Sequence, residues 1–261
     1  MTVELRADDG TASLANARWR GTALPAFPQP LPSSLDEAYA MQNRILMSLD
    51  MPVLGWKVGR IPAPMVATLG AERLAGPVLR CTTLTVSPGE ARVFRGGAGA
   101  IEAEVMLRLD AVPDHIPPAD RVLDYIGEIR AGFEVASSPA PDVHDHAPWS
   151  IIADLGINNG LLLGPLLDGG IFDQLDVETM VAGTVVGRGR ARDVLDGPLG
   201  SVRFLIEQHL KGRIALEPGQ WLSAGAITGV HPIRVGETAH ATFGSAIAIG
   251  CTAIADTGLE S

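Results

Sequence analysis

The spacing of apolar and polar positions changes along the chain. A proline-rich stretch at residues 20–33, RGTALPAFPQPLPS, reads as an extended arm. Beyond it Leu35, Ala38, Tyr39, Gln42, Ile45, Leu46 and Leu49 recur at helical spacing. Ser34 predicts the N-cap, Glu37 completes a capping box, and Pro52 marks the stop. A second short helix is expected over residues 65–74. From about residue 82 the pattern becomes short apolar runs broken by Gly, Pro and Asp: IEAEVMLRL, GFEVAS, GLLLGPLL, MVAGTVVGRG and HPIRVGETAHATFGSAIAIG. These predict strands. One more helix is expected in GPLGSVRFLIEQHLKG, stopped by Gly212. The pattern predicts a partly helical and extended N-terminal region, 1–81, and a β-rich body, 82–261, with no internal repeat.

Strand parity sorts the clearest of these runs. In residues 101–109, Ile101, Ala103, Val105, Leu107 and Leu109 share one face, and Glu102, Glu104, Met106 and Arg108 the other. Two carboxylates facing one site repel unless a cation lies between them or one is protonated. Oxygen-only ligands suit a hard cation such as Mg²⁺ or Mn²⁺. The other reading is an edge strand with a charged solvent face. In residues 129–136 the same parity puts Phe133 and Val135 in the core and Glu134 opposite. Glu134 is then either a polar group wanting a partner or a surface side chain.

Composition narrows the field. The chain has 261 residues, 46% hydrophobic and 19% charged, which excludes disorder and suits one or two domains. Its 30 glycines and 19 prolines favour turns and strands over a helical bundle. A net charge of −10 argues against nucleic acid as a partner. Cys81 and Cys251 form neither a disulfide framework nor a metal-ligand spacing, which fits a reducing cytoplasm. The N-terminal residues do not read as a signal peptide, and no run approaches a membrane span. Only Lys57 and Lys211 are lysines among 20 basic residues. Lys57 lies in the apolar segment VLGWKVG, either as a buried amine whose pKa must move, which Arg could not supply, or as a snorkelling side chain. His144 and His146 flank Asp145 in a loop, and His231 and His240 lie in strand-like runs without a nucleophile. No GxSxG elbow and no P-loop occur, and GGAGA precedes a strand, unlike a dinucleotide fingerprint.

Six motifs then fall in order: DEAYAMQN (36–43), GWKVG (55–59), IEAEVMLRL (101–109), GFEVASS (132–138), DLGINNGLLLG (154–164) and GAITGVHPIRVGETAHATFGS (225–245). This order resembles the 2-keto-4-pentenoate hydratase and 4-oxalocrotonate decarboxylase family, within the fumarylacetoacetate hydrolase superfamily. The resemblance implies an α+β fold, a mixed β-sandwich roll with a small, partly helical N-terminal region, in a homo-oligomer. It implies Mg²⁺ or Mn²⁺ on Glu102, Glu104 and Glu134, with Lys57 catalytic. Arg60, Arg80, Asn158, Asn159 and Thr228 are the expected substrate-binding residues. The implied reaction is hydration or decarboxylation of a short 2-oxo or 2-hydroxydienoic acid from aromatic-compound catabolism. In such chemistry electron density collects on the 2-oxygen, where a cation stabilises it.

Two departures stand out. The hydratases' acidic residue after the Lys motif falls at Arg80 or Cys81, and a small hydroxyl pair is replaced by Asn158 and Asn159. An arginine near the pocket, Arg80 or else Arg60 or Arg73, would suit a substrate with a second carboxylate. The alternatives are an acylpyruvate-type C–C hydrolase, disfavoured because no histidine precedes His115, and a homologue that binds a metal or small acid without turnover.

Overall fold

The computed structural model describes residues 10–85 and 88–259. Along the chain these form α1 (Thr11–Arg20), α2 (Leu35–Leu49), β1 (Gly55–Arg60), α3 (Ala63–Leu69), β2 (Arg73–Val78), β3 (Cys81–Thr83), β4 (Gly89–Val93), β5 (Ala98–Leu109) and β6 (Ile126–Ser138). There follow α4 (Trp149–Ala153), β7 (Asn158–Leu166), β8 (Asp176–Val181), β9 (Thr184–Arg190), α5 (Gly197–Leu210), β10 (Trp221–Ser223), β11 (His231–Pro232), β12 (Thr238–Phe243) and β13 (Ile247–Ala255). No helix among the described residues is long and apolar enough to cross a membrane.

The strands form two mixed sheets. The first runs β2-β1-β10-β5-β6-β7-β3, with β11 also on β5; the second runs β4-β13-β12-β8-β9. Pairing is antiparallel except for β1 with β10, β3 with β7 and β4 with β13. β2 and β3 stand at opposite ends of the first sheet's order, yet only Leu79 and Arg80 separate them in sequence. The sheet must therefore curl into a roll. Val78 of β2 accordingly packs with Met106, Leu161 and Leu163 in one buried cluster.

Alternation decides which face of the roll meets which neighbour. Ile101, Ala103, Val105 and Leu107 of β5 pack outward, with Val177, Ala239, Ala241, Phe243 and Ile249 of the second sheet. Val202, Leu205 and Ile206 of α5 complete this core. The other face of β5, carrying Glu102, Glu104 and Met106, lines the inside of the roll. One end is covered by α1 and α2, whose Leu14, Met41 and Ile45 pack with Ala100 and Ala136.

α2 begins and ends where expected. Ser34 Oγ accepts from the Glu37 amide, while Glu37 reaches one residue further back, to Ser33. The helix expected over 65–74 is replaced by α3, which Gly70 (φ 62°) ends, and by β2. Gly76 and Pro77 read as a turn in sequence, but β2 is the end strand of the order, where a missing amide is tolerated. The division expected at residues 81 and 82 runs through the first sheet, since β1 and β2 belong to it. α1 has no counterpart in the sequence reading.

Gly76 is a close approach that the site depends on. A Cβ there would lie 2.6 Å from Leu155 O and 2.7 Å from Gly156 Cα. Gly76→Ala should push the 155–157 turn off β2 and cost about 1–3 kcal/mol. Urea unfolding measures this.

Candidate metal centre

The β5–β6 register sets Glu102 opposite Glu134 and Glu104 opposite Gly132. β5 is interior to the sheet, between β6 and β10, so the solvent-facing edge reading does not hold. Glu104 and Glu134 are fully buried, Glu102 is 5% exposed and Lys57 4%. One carboxylate oxygen from each of the three glutamates lies within 4.8 Å of the others. Lys57 enters from β1, opposite Ser223 of β10, which in turn faces Met106. Its Nζ is 3.3 Å from Glu134 Oε1.

Each fully buried carboxylate has one oxygen held and one left over. Glu104 Oε2 accepts from the Ser223 hydroxyl and, at 2.8 Å, from the Gly225 amide. Glu134 Oε1 accepts from Asn158 Nδ2 at 3.0 Å. Among the described residues, Glu104 Oε1 and Glu134 Oε2 are buried without a hydrogen-bond partner. An unsatisfied buried acceptor is costly. Two of them, in an all-oxygen set, are what a hard divalent cation requires. The residues present therefore fit the group.

The electrostatics agree. Burial, then the Glu134 charge, pushes Glu102 up to about 7. Glu104 is raised well above the usual carboxylate range by burial and then by Glu134 and Glu102. For Lys57 burial acts to lower the pKa, but Glu134, Glu102 and Glu104 together outweigh it and the net shift is upward.

A pH effect follows. Carboxyls whose folded pKa is raised bind protons more tightly in the folded state. The Glu102 contribution to stability therefore falls as pH rises through the window from the unfolded value to about 7. In EDTA the melting temperature should be higher near about pH 6 than near about pH 8. A cation binds the ionised form, so the increment from Mg²⁺ should be larger at the higher pH. Calorimetry in both buffers checks the sign.

The segment DLGINN covers the cluster. Its turn, Leu155–Ile157, lies across β2 beside Lys57. Gly156 adopts φ 66°, and a Cβ there would come 3.2 Å from Lys57 Cδ. Asp154 is held by Arg18 at 2.6 Å, and Asn158 reaches Glu134. Arg18 is a site-supporting residue that the sequence reading missed. Its signal was a charged side chain on the same helical face as Leu14, masked in an arginine-rich composition.

The other expected substrate-binding residues are not brought to the cluster. Arg60 is exposed and, three positions from Lys57, falls on the opposite face of β1. Arg80 is bonded to both oxygens of Asp256 at 3.2 Å and to the Gly258 carbonyl. Asn159 donates to Arg92 O at 2.7 Å and to Asp256 Oδ2 at 2.8 Å. The Thr228 hydroxyl turns to Thr179 of the second sheet, at 2.8 Å, and to His231, at 3.1 Å. Arg73 pairs with Asp196 at 2.9 Å. His146 sits 3.4 Å from Asp142, apart from the glutamates.

No family model matches the chain, and no curated protein matches it in sequence. Solved structures do match. 4-Oxalocrotonate decarboxylase from Pseudomonas putida G7, complexed with magnesium and adipate, aligns with 95% of this chain and 98% of its own, at 20% identity and a TM-score of 0.74. A yeast fumarylacetoacetate hydrolase family protein aligns with 78% and 93%, at 18% identity and 0.57. Fumarylpyruvate hydrolase from Pseudomonas aeruginosa, in complex with Mn²⁺ and pyruvate, aligns with 77% and 89%, at 13% identity and 0.54. The chain thus has the α+β roll that 4-oxalocrotonate decarboxylase shares with fumarylacetoacetate hydrolase family proteins.

Proposed function

We propose that this protein is a divalent-metal-dependent lyase acting on a short 2-oxo acid, with decarboxylation as its reaction. The observation that carries the reading is the pair of orphaned buried oxygens, Glu104 Oε1 and Glu134 Oε2, in a three-glutamate cluster beside a buried lysine. Magnesium in the decarboxylase of the same fold and manganese in the hydrolase support the cation assignment.

Glu102, Glu104 and Glu134 would hold Mg²⁺ or Mn²⁺. When bound, the cation supplies Lewis-acid stabilisation of negative charge developing on the substrate's 2-oxygen. The chain's own residues do the rest. Ser223 and the Gly225 amide fix Glu104, and Asn158 fixes Glu134. Lys57 holds a proton at Nζ within the cluster, for delivery to the carbon that loses CO₂. Val78, Met106, Leu161 and Leu163 form a dry wall on the same inner face. A carboxylate is poorly solvated beside such a wall, while charge delocalised along a conjugated chain suffers less, which favours CO₂ loss over addition of water. Among the described residues no arginine is bonded to the cluster, so the reading rests on the 2-oxo acid end. Membership of a homo-oligomer and a place in aromatic-compound catabolism, which rest on the motif resemblance, and a cytoplasmic setting, which rests on the cysteine usage, complete the proposal.

The test is turnover of 2-oxohex-3-enedioate, 2-hydroxypenta-2,4-dienoate and fumarylpyruvate by Mg²⁺- or Mn²⁺-loaded protein, with CO₂ and ultraviolet absorbance followed together. Metal-dependent CO₂ release from the first is the expected result. Hydration of the second alone would make the protein a hydratase, and cleavage of the third a hydrolase. No turnover of any, or turnover indifferent to EDTA, overturns the proposal.

A further inference from the structure

The turn over the cluster is held from outside both sheets by one side chain. Arg18, on α1, is 3% exposed. Its Nε donates to Asp154 Oδ1 at 2.6 Å. One terminal nitrogen donates to Asp154 O at 2.9 Å and to Ser137 O at 3.3 Å, and the other to Asn158 O at 3.1 Å. The guanidinium carbon lies 5.7 Å from the centre of the Phe94 ring.

These acceptors are not scattered. Ser137 follows Glu134 on β6. Asp154 and Asn158 bracket the turn beside Lys57, and the Asn158 side chain spans the remaining gap to Glu134. Its carbonyl oxygen is fixed in turn by the Gly160 amide at 3.0 Å. A single planar group therefore gauges both ends of the turn and the strand beneath it. An ammonium, a point charge on a flexible stem, cannot make that fork. Neutralising Asp154 is a poor explanation for the arrangement, because a buried ion pair is weak evidence of stabilisation. Three of the four bonds go to backbone carbonyls, where they fix position.

We infer that Arg18 is a positioning residue for the metal centre. It holds the Asp154–Asn158 segment so that Asn158 clasps Glu134 Oε1 and leaves Oε2 for the cation. The inference rests on the cation reading given above and extends it to a helix that contributes no ligand.

The experiment is a double-mutant cycle on the full chain, read as Mn²⁺ affinity by titration with electron paramagnetic resonance. The variants are Arg18→Lys, Asn158→Ala and both together. Arg18→Lys keeps a positive charge against Asp154. The pair Arg18→Met with Asp154→Asn, which removes both charges, serves if the lysine variant does not fold. Outer-shell substitutions weaken metal sites about 10–100-fold. A loss of about tenfold or more is expected for Arg18→Lys, a similar loss for Asn158→Ala, and little further loss for the double variant, since both act on one contact. Amide hydrogen exchange over residues 154–160 should quicken in Arg18→Lys, with β8 and β9 unchanged. Wild-type affinity in the folded Arg18 variant, or fully additive losses, overturns the inference while leaving the cation reading intact. Absence of Mn²⁺ binding by the wild type overturns both.

Discussion

Glu104→Gln should eliminate Mn²⁺ binding and at the same time raise the melting temperature of the metal-free protein. The carboxylate is fully buried, and burial with its two acidic neighbours lifts its pKa well above the usual range. The ionised form is thus costly in the folded chain. A neutral amide of the same shape relieves that repulsion. Its carbonyl oxygen can still accept from Ser223 and Gly225, so neither of those donors is stranded. The cation, however, loses an anionic ligand at Oε1, the orphaned oxygen. The affinity loss should exceed the roughly 10–100-fold typical of outer-shell changes, and turnover should fall with it. Glu134→Gln should show the same loss of binding. Calorimetric titration and thermal melts in EDTA measure the two effects separately. A variant that binds Mn²⁺ normally would remove Glu104 from the site.

Lys57→Met should reduce turnover by about 10²–10⁴-fold, the scale of a lost general acid–base group, without weakening Mn²⁺ binding. The thioether keeps the length of the stem beneath Gly156 but carries no proton. Lys57→Arg is a poorer probe, because the turn leaves little room around the stem: a Cβ at Gly156 would already lie 3.2 Å from Lys57 Cδ. Nζ lies 3.3 Å from Glu134 Oε1, so the lysine also competes with a cation for that carboxylate. Affinity for Mn²⁺ should therefore be equal to or above that of the wild type. Steady-state kinetics and metal titration on one preparation decide the matter. Undiminished turnover would make Lys57 structural.

The facing of the glutamates was legible because strand parity is strict, and their union in one metal set came from the motif resemblance. With Ile101, Ala103 and Val105 committed to the core, Glu102 and Glu104 had to share the other face, and the same held for Glu134 between Phe133 and Val135. Lys57 stood out through the scarcity of lysine. The same parity rule, applied within β1, separates Arg60 from Lys57. Arg80, Asn159 and Thr228 depend on tertiary partners, Asp256 and Thr179, that no local pattern specifies. β2 was hidden because Gly76 and Pro77 mimic a turn, although the glycine is there to admit the backbone of another segment. α1 was hidden because Arg18 interrupts its apolar stripe, and that interruption is the residue that reaches the site.

The pairing of β1 with β10 has a kinetic consequence. All three glutamates come from the adjacent strands β5 and β6, whose pairing is comparatively local. Lys57 reaches them through β10, in a register that joins Gly55 to Trp221 across most of the chain. Contacts so distant in sequence form slowly, because loop-closure entropy is lost before they contribute. The carboxylates should therefore meet during folding before the ammonium that offsets their charge arrives. A divalent cation present at that stage can take its place, so refolding of this protein should be faster in Mg²⁺ than in EDTA.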